Sequence, residues 1–192
     1  MELIVALLLG GGCVALGRWA LKRRAAARQA APPSSEASAV DRGLDELEPG
    51  DVLTHDGADY LVTGVARLTE SDERWIECRL EDAGREAWIV VHPRDPDGAV
   101  VGRRVTDLVV AGDRPSESLD HGGEVFRLER HGRAGVEVSG ELEQGLVPGE
   151  CRYWNYRRPG DGRVWMRRVE ERWVAFAGAR TRRHLVGFLP GS

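Results

Sequence analysis

In RWIECRL, residues 74–80, apolar and polar side chains alternate with a period of two, which is the clearest indication of the fold class. Successive side chains of a β-strand point to opposite faces, so this period predicts a strand. Ile76 and Cys78 then share one face, and Trp75 and Glu77 share the other. The apolar face is the one expected to point into the core, which would leave the tryptophan on the outer face.

Strand patterns continue on both sides of this stretch. The run Ala87–Val91 is apolar and rich in β-branched residues, which predicts a central strand. Asp56-Gly57 is a two-residue hairpin signal between two short apolar segments. From residue 44 onward we count about eleven short strands, at a spacing typical of sandwiches and barrels. Only the segment Leu142–Leu146 is compatible with a short helical turn.

The two halves of this region resemble each other. Gly57–Val62 is similar to Gly122–Arg127, and each is followed by two strands that contain aromatic residues. The similarity is compatible with two related small β units, at about residues 44–111 and 121–190. Convergent β patterning explains it equally well. The expected fold is therefore a mostly-β, barrel-like or sandwich-like domain over residues 44–192.

The N-terminal segment has a different character. Residues 3–17 are uncharged, and the apolar stretch to Leu21 would span ~28 Å as a helix, close to a bilayer core of about 30 Å. Basic residues follow it at Lys22, Arg23 and Arg24, which predicts a single transmembrane helix over residues 1–24 with the N-terminus outside the cell. An Ala/Pro/Ser-rich tether then covers residues 25–43. The predicted location is the cell membrane, with the β domain in the cytoplasm and lipid contacts made by the helix.

Charge is distributed unevenly along a chain whose formal net charge is −4. Acidic residues dominate residues 41–120, whereas basic residues are in slight excess in 121–192. A strongly acidic half argues against binding of nucleic acid over most of the surface. Two basic clusters, Arg157-Arg158 and 180–184, are candidates for contact with anionic lipid or are solvated loops.

No catalytic or metal-binding constellation is recognisable in the sequence. The cysteines of the β domain, Cys78 and Cys151, have no ligand spacing and no visible partner base, so buried structural thiols are expected. Carboxylates such as Glu77 are expected on solvated strand edges. The histidines show no zinc spacing, and no cofactor is predicted; they are His55, His92, His121, His131 and His184.

A tryptophan-lined groove is the one binding feature that the sequence indicates. The chain has six tryptophans. Trp75 and Trp165 both lie opposite the face expected to point inward, where they could line a groove for a peptide or small ligand. The alternative is that both faces of these strands are buried.

Ordered motifs over residues 44–190 resemble a known bacterial family. Its first block reads Leu47-x-Pro49-Gly50-Asp51, then Asp56-Gly57-x-x-Tyr60-x-Val62-x-Gly64, then Trp75-x-Glu77-x-x-Leu80. Its second block includes Gly122-Gly123-x-x-Phe126, with Phe where the family has Tyr, and Tyr153-x-x-Tyr156. These motifs resemble the domain of unknown function 4178 family. The resemblance implies no activity and no functional residues, but it does suggest a companion of membrane or envelope-stress proteins.

Two function classes follow from these patterns. The first is a membrane-tethered, non-enzymatic binding or adaptor module with a membrane or cytoplasmic protein as its partner. The second is a small-molecule sensor or enzyme with a site between the two β units. A concave site between the halves would favour the second class.

Overall fold

The computed structural model describes residues 42–108, 110, 114–142 and 146–191. The predicted transmembrane segment, 1–24, lies outside these residues, as does most of the predicted tether at 25–43. The segment Leu142–Leu146, where a helical turn was considered, is only partly described.

The predicted fold class needs correction with respect to the transmembrane helix. Nowhere in the described ranges is there a helix long and apolar enough to cross a membrane. The helical segments found there are two three-residue 3-10 helices, η1 at Leu44–Glu46 and η2 at Arg183–Leu185. For the residues that the structure describes, the predicted single transmembrane helix followed by a β domain is therefore corrected to a mostly-β domain, and the single-pass membrane class is corrected in the same way. The physical reason is that the apolar run behind that prediction ends before residue 42, whereas the later segments have strand periodicity.

The mostly-β character is confirmed. Eleven strands alternate with short turns along the described chain. Their bounds are β1 Val52–His55, β2 Ala58–Glu70, β3 Glu73–Asp82, β4 Arg85–Val91, β5 Gly98–Val105, β6 Ser118–His121, β7 Glu124–Gly140, β8 Gly149–Arg157, β9 Gly162–Val169, β10 Arg172–Arg182 and β11 Gly187–Leu189.

The predicted hairpin at Asp56-Gly57 joins β1 to β2. Both residues have positive φ, 50° and 75°, as a two-residue type I′ turn requires. Gly122 and Gly123 repeat this geometry between β6 and β7, with φ of 61° and 75°. The same local signal therefore begins each half of the domain.

Antiparallel pairing closes eight of the strands into a barrel. The order is β2-β3-β4-β5-β10-β9-β8-β7, and a β7–β2 pairing completes the ring. Strands β2 and β7 are long, at 13 and 17 residues. The first part of β2 pairs with β1, and residues 64–69 pair with β7. The first part of β7 pairs with β6 in the same way. β11 adds to the outer edge of β1.

The two halves are equivalent five-stranded meanders that share one barrel. Strands β1–β5 form the first meander and β6–β10 the second, and they join at β2–β7 and β5–β10. The paired similarity of Gly57–Val62 and Gly122–Arg127 marks equivalent positions at the β1–β2 and β6–β7 hairpins. Neither meander closes by itself, because each barrel seam is made between the halves.

Most barrel strands are buried on both faces. All eight barrel strands contribute residues to one interior cluster or pack against it, and its buried members include Trp75, Trp88 and Trp165. Outer clusters cover the other face of each meander, one around Leu53 and the other around Trp154. Double-sided burial explains the continuous apolar runs in the sequence.

Candidate functional site

A buried ion pair crosses the interior of the barrel. Glu77 of β3 and Arg167 of β9 are both 0% exposed. Arg167 Nε donates to Glu77 Oε1 at 2.8 Å, and Arg167 Nη1 donates to Asn155 Oδ1 at 2.9 Å. The indole N–H of Trp75 also donates to Glu77 Oε1, at 3.2 Å. These contacts tie the first meander to the second through the core.

A second polar layer lies toward the end of the barrel where β2 turns into β3. Glu70 and Glu73 face each other across this hairpin, and like charges in that position repel. Arg130 of β7 offsets the repulsion, because it pairs with Glu70 and its Nη1 lies 2.8 Å from Glu73 Oε2. Its guanidinium also stands over the rings of Trp75 and Tyr153, at 5.8 and 5.5 Å.

The carboxylate of Glu70 stays ionised in this layer. Burial alone would raise its pKa, but hydrogen bonds from Tyr153 Oη, at 2.6 Å, and from Arg130 outweigh burial. The net result is a lowered pKa for Glu70. Burial and the bond to Glu70 act in the opposite sense on the phenol, and they raise the pKa of Tyr153.

His92 lies at the inner edge of the same layer, just after β4. Its ring stacks on Trp75, with ring centres 5.4 Å apart. Burial lowers the pKa of His92, and the guanidiniums of Arg130 and Arg94 lower it further against the opposing effect of Glu73. The imidazole is therefore neutral at pH 7.

A cavity of about 460 Å³ opens beside this layer, between β4–β5 of one meander and β7–β9 of the other. That volume is within the usual range for small-molecule sites. Its walls combine apolar, aromatic and charged groups, including Val90, Val100, Trp165, His92, Arg130 and Arg167. A larger depression of about 930 Å³ lies near the β2–β3 turn and shares Arg94 and Arg130 with the cavity. Most of its lining residues are charged, and they come from the turn and from other segments around it, so the smaller cavity is the better candidate site.

One residue that lines the cavity has a buried polar atom without a partner. Trp165 is 4% exposed, and its indole N–H makes no hydrogen bond to any part of the chain that the structure describes. Deeper in the barrel, Glu77 Oε2 is also without a hydrogen bond. Buried polar groups in native proteins are nearly always paired, so an unpaired donor in a cavity wall marks a position where a ligand oxygen could bind.

The two tryptophans singled out from the sequence are both in the interior. Trp75 and Trp165 are 3% and 4% exposed, so the prediction that they face outward was wrong. Trp165 nevertheless lines the cavity. The face assignment was reversed because Ile76 and Cys78 face an outer cluster, whereas Trp75 and Glu77 face the barrel interior.

The remaining candidates from the sequence are not brought together. Glu77, expected on a solvated edge, is fully buried. Cys78 and Cys151 belong to different clusters, and burial raises the pKa of both thiols, that of Cys151 to about 11. Among the described residues, no group of three or more His, Cys, Asp or Glu side chains could hold a metal ion.

The basic cluster at 180–184 is partly engaged within the fold. Arg180 Nη2 donates to Asp95 Oδ1 at 2.6 Å, and Arg183 Nε donates to the carbonyl of Gly98 at 3.1 Å. Neither side chain is therefore a purely solvated charge.

Sequence reasoning did not identify Arg167 or Arg130 as interior residues. Arginine is rarely buried unless it is paired, and the acidic partners lie 90 and 60 residues away along the chain. No local pattern could have identified these pairs.

Comparison with known proteins yields one match. A family model described as a domain of unknown function (DUF4178) matches residues 48–183. No curated protein and no solved structure matches the chain. The matched region includes both meanders of the barrel, from the turn before β1 to the end of β10. The family resemblance is thereby confirmed, and the chain belongs to this DUF4178 family.

Proposed function

We propose that the domain is a non-enzymatic binding module that holds a small molecule in the cavity between its two meanders. The observation that carries this proposal is that Trp165, which lines a cavity of about 460 Å³, has a buried indole N–H without a hydrogen-bond partner among the described residues. A ligand acceptor at that position would satisfy a donor that the protein leaves unpaired.

Binding is favoured over catalysis because two groups beside the cavity, the carboxyl of Glu70 and the phenol of Tyr153, have pKa values shifted away from neutrality. General acid–base catalysis works best with a pKa near the operating pH. The pKa of Glu70 is lowered and the pKa of Tyr153 is raised, so both move away from neutrality. Glu77 and Arg167 are engaged with each other in the interior.

Most of the wall is built from barrel strands, and the loop after β4 adds His92, Arg94 and Asp95. The ring of Trp165 stacks on Phe176, with ring centres 5.4 Å apart. A preorganised site of this kind loses little entropy when a ligand binds.

A cavity-filling substitution tests the proposal. Val100 lines the cavity and is half-buried, so Val100→Trp should occupy the volume, whereas Val125→Trp adds the same side chain at a position that is 58% exposed. The full chain is screened against a small-molecule library by ligand-observed NMR. We expect compounds that bind the wild type and Val125→Trp, but bind Val100→Trp at least about tenfold more weakly.

A second variant keeps the test interpretable if Val100→Trp perturbs folding. Trp165→Phe retains most of the ring but removes the N–H donor, and circular dichroism verifies the fold of both proteins. The proposal fails if every library compound that binds the wild type binds Val100→Trp and Trp165→Phe equally well.

A protein partner is a second candidate function, supported by an exposed apolar row. Leu61, Val52 and Leu189 lie directly opposite one another on three adjacent strands, so they share one face. Leu61 is 47% exposed and Leu189 is 63% exposed. Exposed apolar surface of this type is typical of interaction sites. The test is capture of a partner protein by two variants. If Leu61→Ser/Leu189→Ser no longer captures the partner and Val100→Trp still does, this function is favoured.

A further inference from the structure

We propose that the ligand of the cavity carries an oxyanion, a carboxylate or a phosphate, and that Arg163 and Trp165 bind it. This inference rests on the proposed function, since it specifies the chemical class that the same site accepts.

A cross-strand row of arginines runs to the edge of the cavity. Arg127 of β7 lies opposite Arg157 of β8, and Arg157 lies opposite Arg163 of β9. Directly opposed side chains have Cβ atoms about 4.5–5.5 Å apart, and like charges in this position destabilise a sheet. Arg127 and Arg157 are exposed, so solvent weakens this repulsion, and the row leaves an excess of positive charge at this edge of the cavity.

The protein supplies only part of the negative charge that would balance this row. Glu129 Oε1 lies 3.3 Å from Arg157 Nε. Within the described ranges of the chain, neither Arg127 nor Arg163 has a carboxylate within ion-pair distance. Arg163 Nη1 instead donates to the carbonyls of Gly160 and Gly162, at 3.1 and 2.9 Å, which fixes the guanidinium at the cavity rim.

The two carboxylates in the cavity wall are each paired with an arginine that does not line the cavity. Asp95 and Glu129 both line the cavity, but Asp95 is bound by Arg180, with Nη2 to Oδ1 at 2.6 Å, and Glu129 is bound by Arg157. The hydrogen bond from Arg180 lowers the pKa of Asp95, so that this ion pair persists at neutral pH.

Other guanidiniums of the wall are already neutralised. Arg130 pairs with Glu70 and Glu73, and Arg167 pairs with Glu77. Arg163 is thus the lining arginine without a carboxylate at ion-pair distance among the described residues, and Asp95 acts on it only at longer range.

Arg163 and the unpartnered indole belong to one strand and one face. Side chains two residues apart on a strand point to the same side, and Arg163 and Trp165 both line the cavity. The two groups are both hydrogen-bond donors, and a carboxylate or phosphate offers only acceptors to them. A neutral amide could satisfy the indole but gains little from the arginine row. A cation would be repelled by that row.

The test compares ligands that share one aromatic ring and differ in charge. Benzoate and phenyl phosphate carry the oxyanion, benzamide is neutral, and benzylamine is a cation. Binding to the full chain is measured by calorimetry or NMR at two salt concentrations. We expect at least one anion to bind about 10- to 100-fold more tightly than benzamide, as loss of a charged hydrogen bond implies. High salt should weaken that binding. The tighter of the two anions identifies the group that the site prefers.

Matched variants show whether Arg163 is responsible for the preference for anions. Arg163→Gln should reduce anion affinity about 10- to 100-fold, whereas Arg163→Lys should retain part of it. Arg133→Gln removes an arginine whose side chain is 70% exposed and pairs with Glu150, so it should leave affinity unchanged. Thermal unfolding of each variant shows whether the turn that Arg163 holds is preserved.

Two other outcomes would overturn the inference in distinguishable ways. If benzamide or benzylamine binds the wild type as tightly as the anions do, and if Trp165→Phe abolishes that binding, the oxyanion inference fails but the cavity remains the binding site. If no library compound and no probe of any charge binds at the cavity, the inference and the proposed function fail together.

Discussion

Removal of the Glu77 carboxylate should strongly destabilise the barrel. Glu77→Ala leaves Arg167 charged and 0% exposed, with only Asn155 Oδ1 and the Met166 carbonyl as acceptors. It also leaves the indole N–H of Trp75 without an acceptor. The substitution therefore deprives two buried donor groups of their acceptor at once.

The expected magnitude follows from the burial of the pair. Removing one partner of a buried ion pair typically costs about 3–5 kcal/mol of unfolding free energy. For a domain of this size, each kcal/mol lowers Tm by about 2–4 °C, so Glu77→Ala should lower Tm by roughly 6–20 °C. This decrease in Tm is much larger than the decrease expected from breaking an exposed pair such as Arg133–Glu150.

A double variant separates loss of the ion pair from loss of packing. Glu77→Leu/Arg167→Met removes both charges and keeps apolar volume, which in other buried pairs is often neutral or stabilising. Urea unfolding followed by circular dichroism gives the free energies of the wild type, Glu77→Ala, Arg167→Met and the double variant. We expect the double variant to be clearly more stable than Glu77→Ala. If Glu77→Ala costs less than about 1 kcal/mol, the ion pair is not buried as described.

Three further outcomes follow from the structure. The pKa of His92 is lowered below its ordinary value of 6.5, so the unfolded state binds more protons than the folded state in acid. The stability contributed by the neutral imidazole is therefore lost as pH falls below about 6.5. Unfolding free energies measured from pH 8 to pH 5 should fall more steeply for the wild type than for His92→Gln. A Cβ at Gly102 would meet the carbonyl of the neighbouring strand, so Gly102→Ala should cost about 1–3 kcal/mol in urea unfolding, and a cost near zero would contradict the close approach of β5 to β10. Cys78 and Cys151 are buried with raised thiol pKa values, so iodoacetamide should leave both unlabelled in native Cys13→Ser protein and label both in urea, as read by mass spectrometry.

Local features of the fold were predictable from the sequence. Alternation identified the strands, and Asp56-Gly57 located a hairpin whose two positive φ angles the structure confirms. The paired hairpin sequences also indicated two related halves. Each of these signals depends on neighbouring residues only, which is why a single sequence contains them.

Long-range features were not predictable in the same way. Barrel closure depends on the pairings β2–β7 and β5–β10, which join segments far apart in the chain. The face assignment of β3 failed for a related reason. A polar residue such as Glu77 indicates a solvated face unless its partner is known, and that partner, Arg167, lies 90 residues away.

The candidate site was predicted only in part. A groove involving Trp165 was expected, and Trp165 does line the cavity, but from inside the barrel. The position of the cavity follows from the junction of the two meanders, which no local pattern specifies. The proposed role of Arg163 could not be predicted either, because it depends on a row of arginines across three strands. Arg163 lies opposite Arg157, which lies opposite Arg127.

The resonance of the Trp165 indole N–H provides the most direct test of the central claim that the cavity is the binding site. The six tryptophans of the full chain each contribute one indole signal in a ¹⁵N–¹H spectrum, and Trp165→Phe identifies the relevant one. On titration with phenyl phosphate or benzoate, we expect a saturable shift of the Trp165 signal, because the free donor gains an acceptor. Saturable binding that moves other indole signals and leaves that of Trp165 in place would contradict the claim.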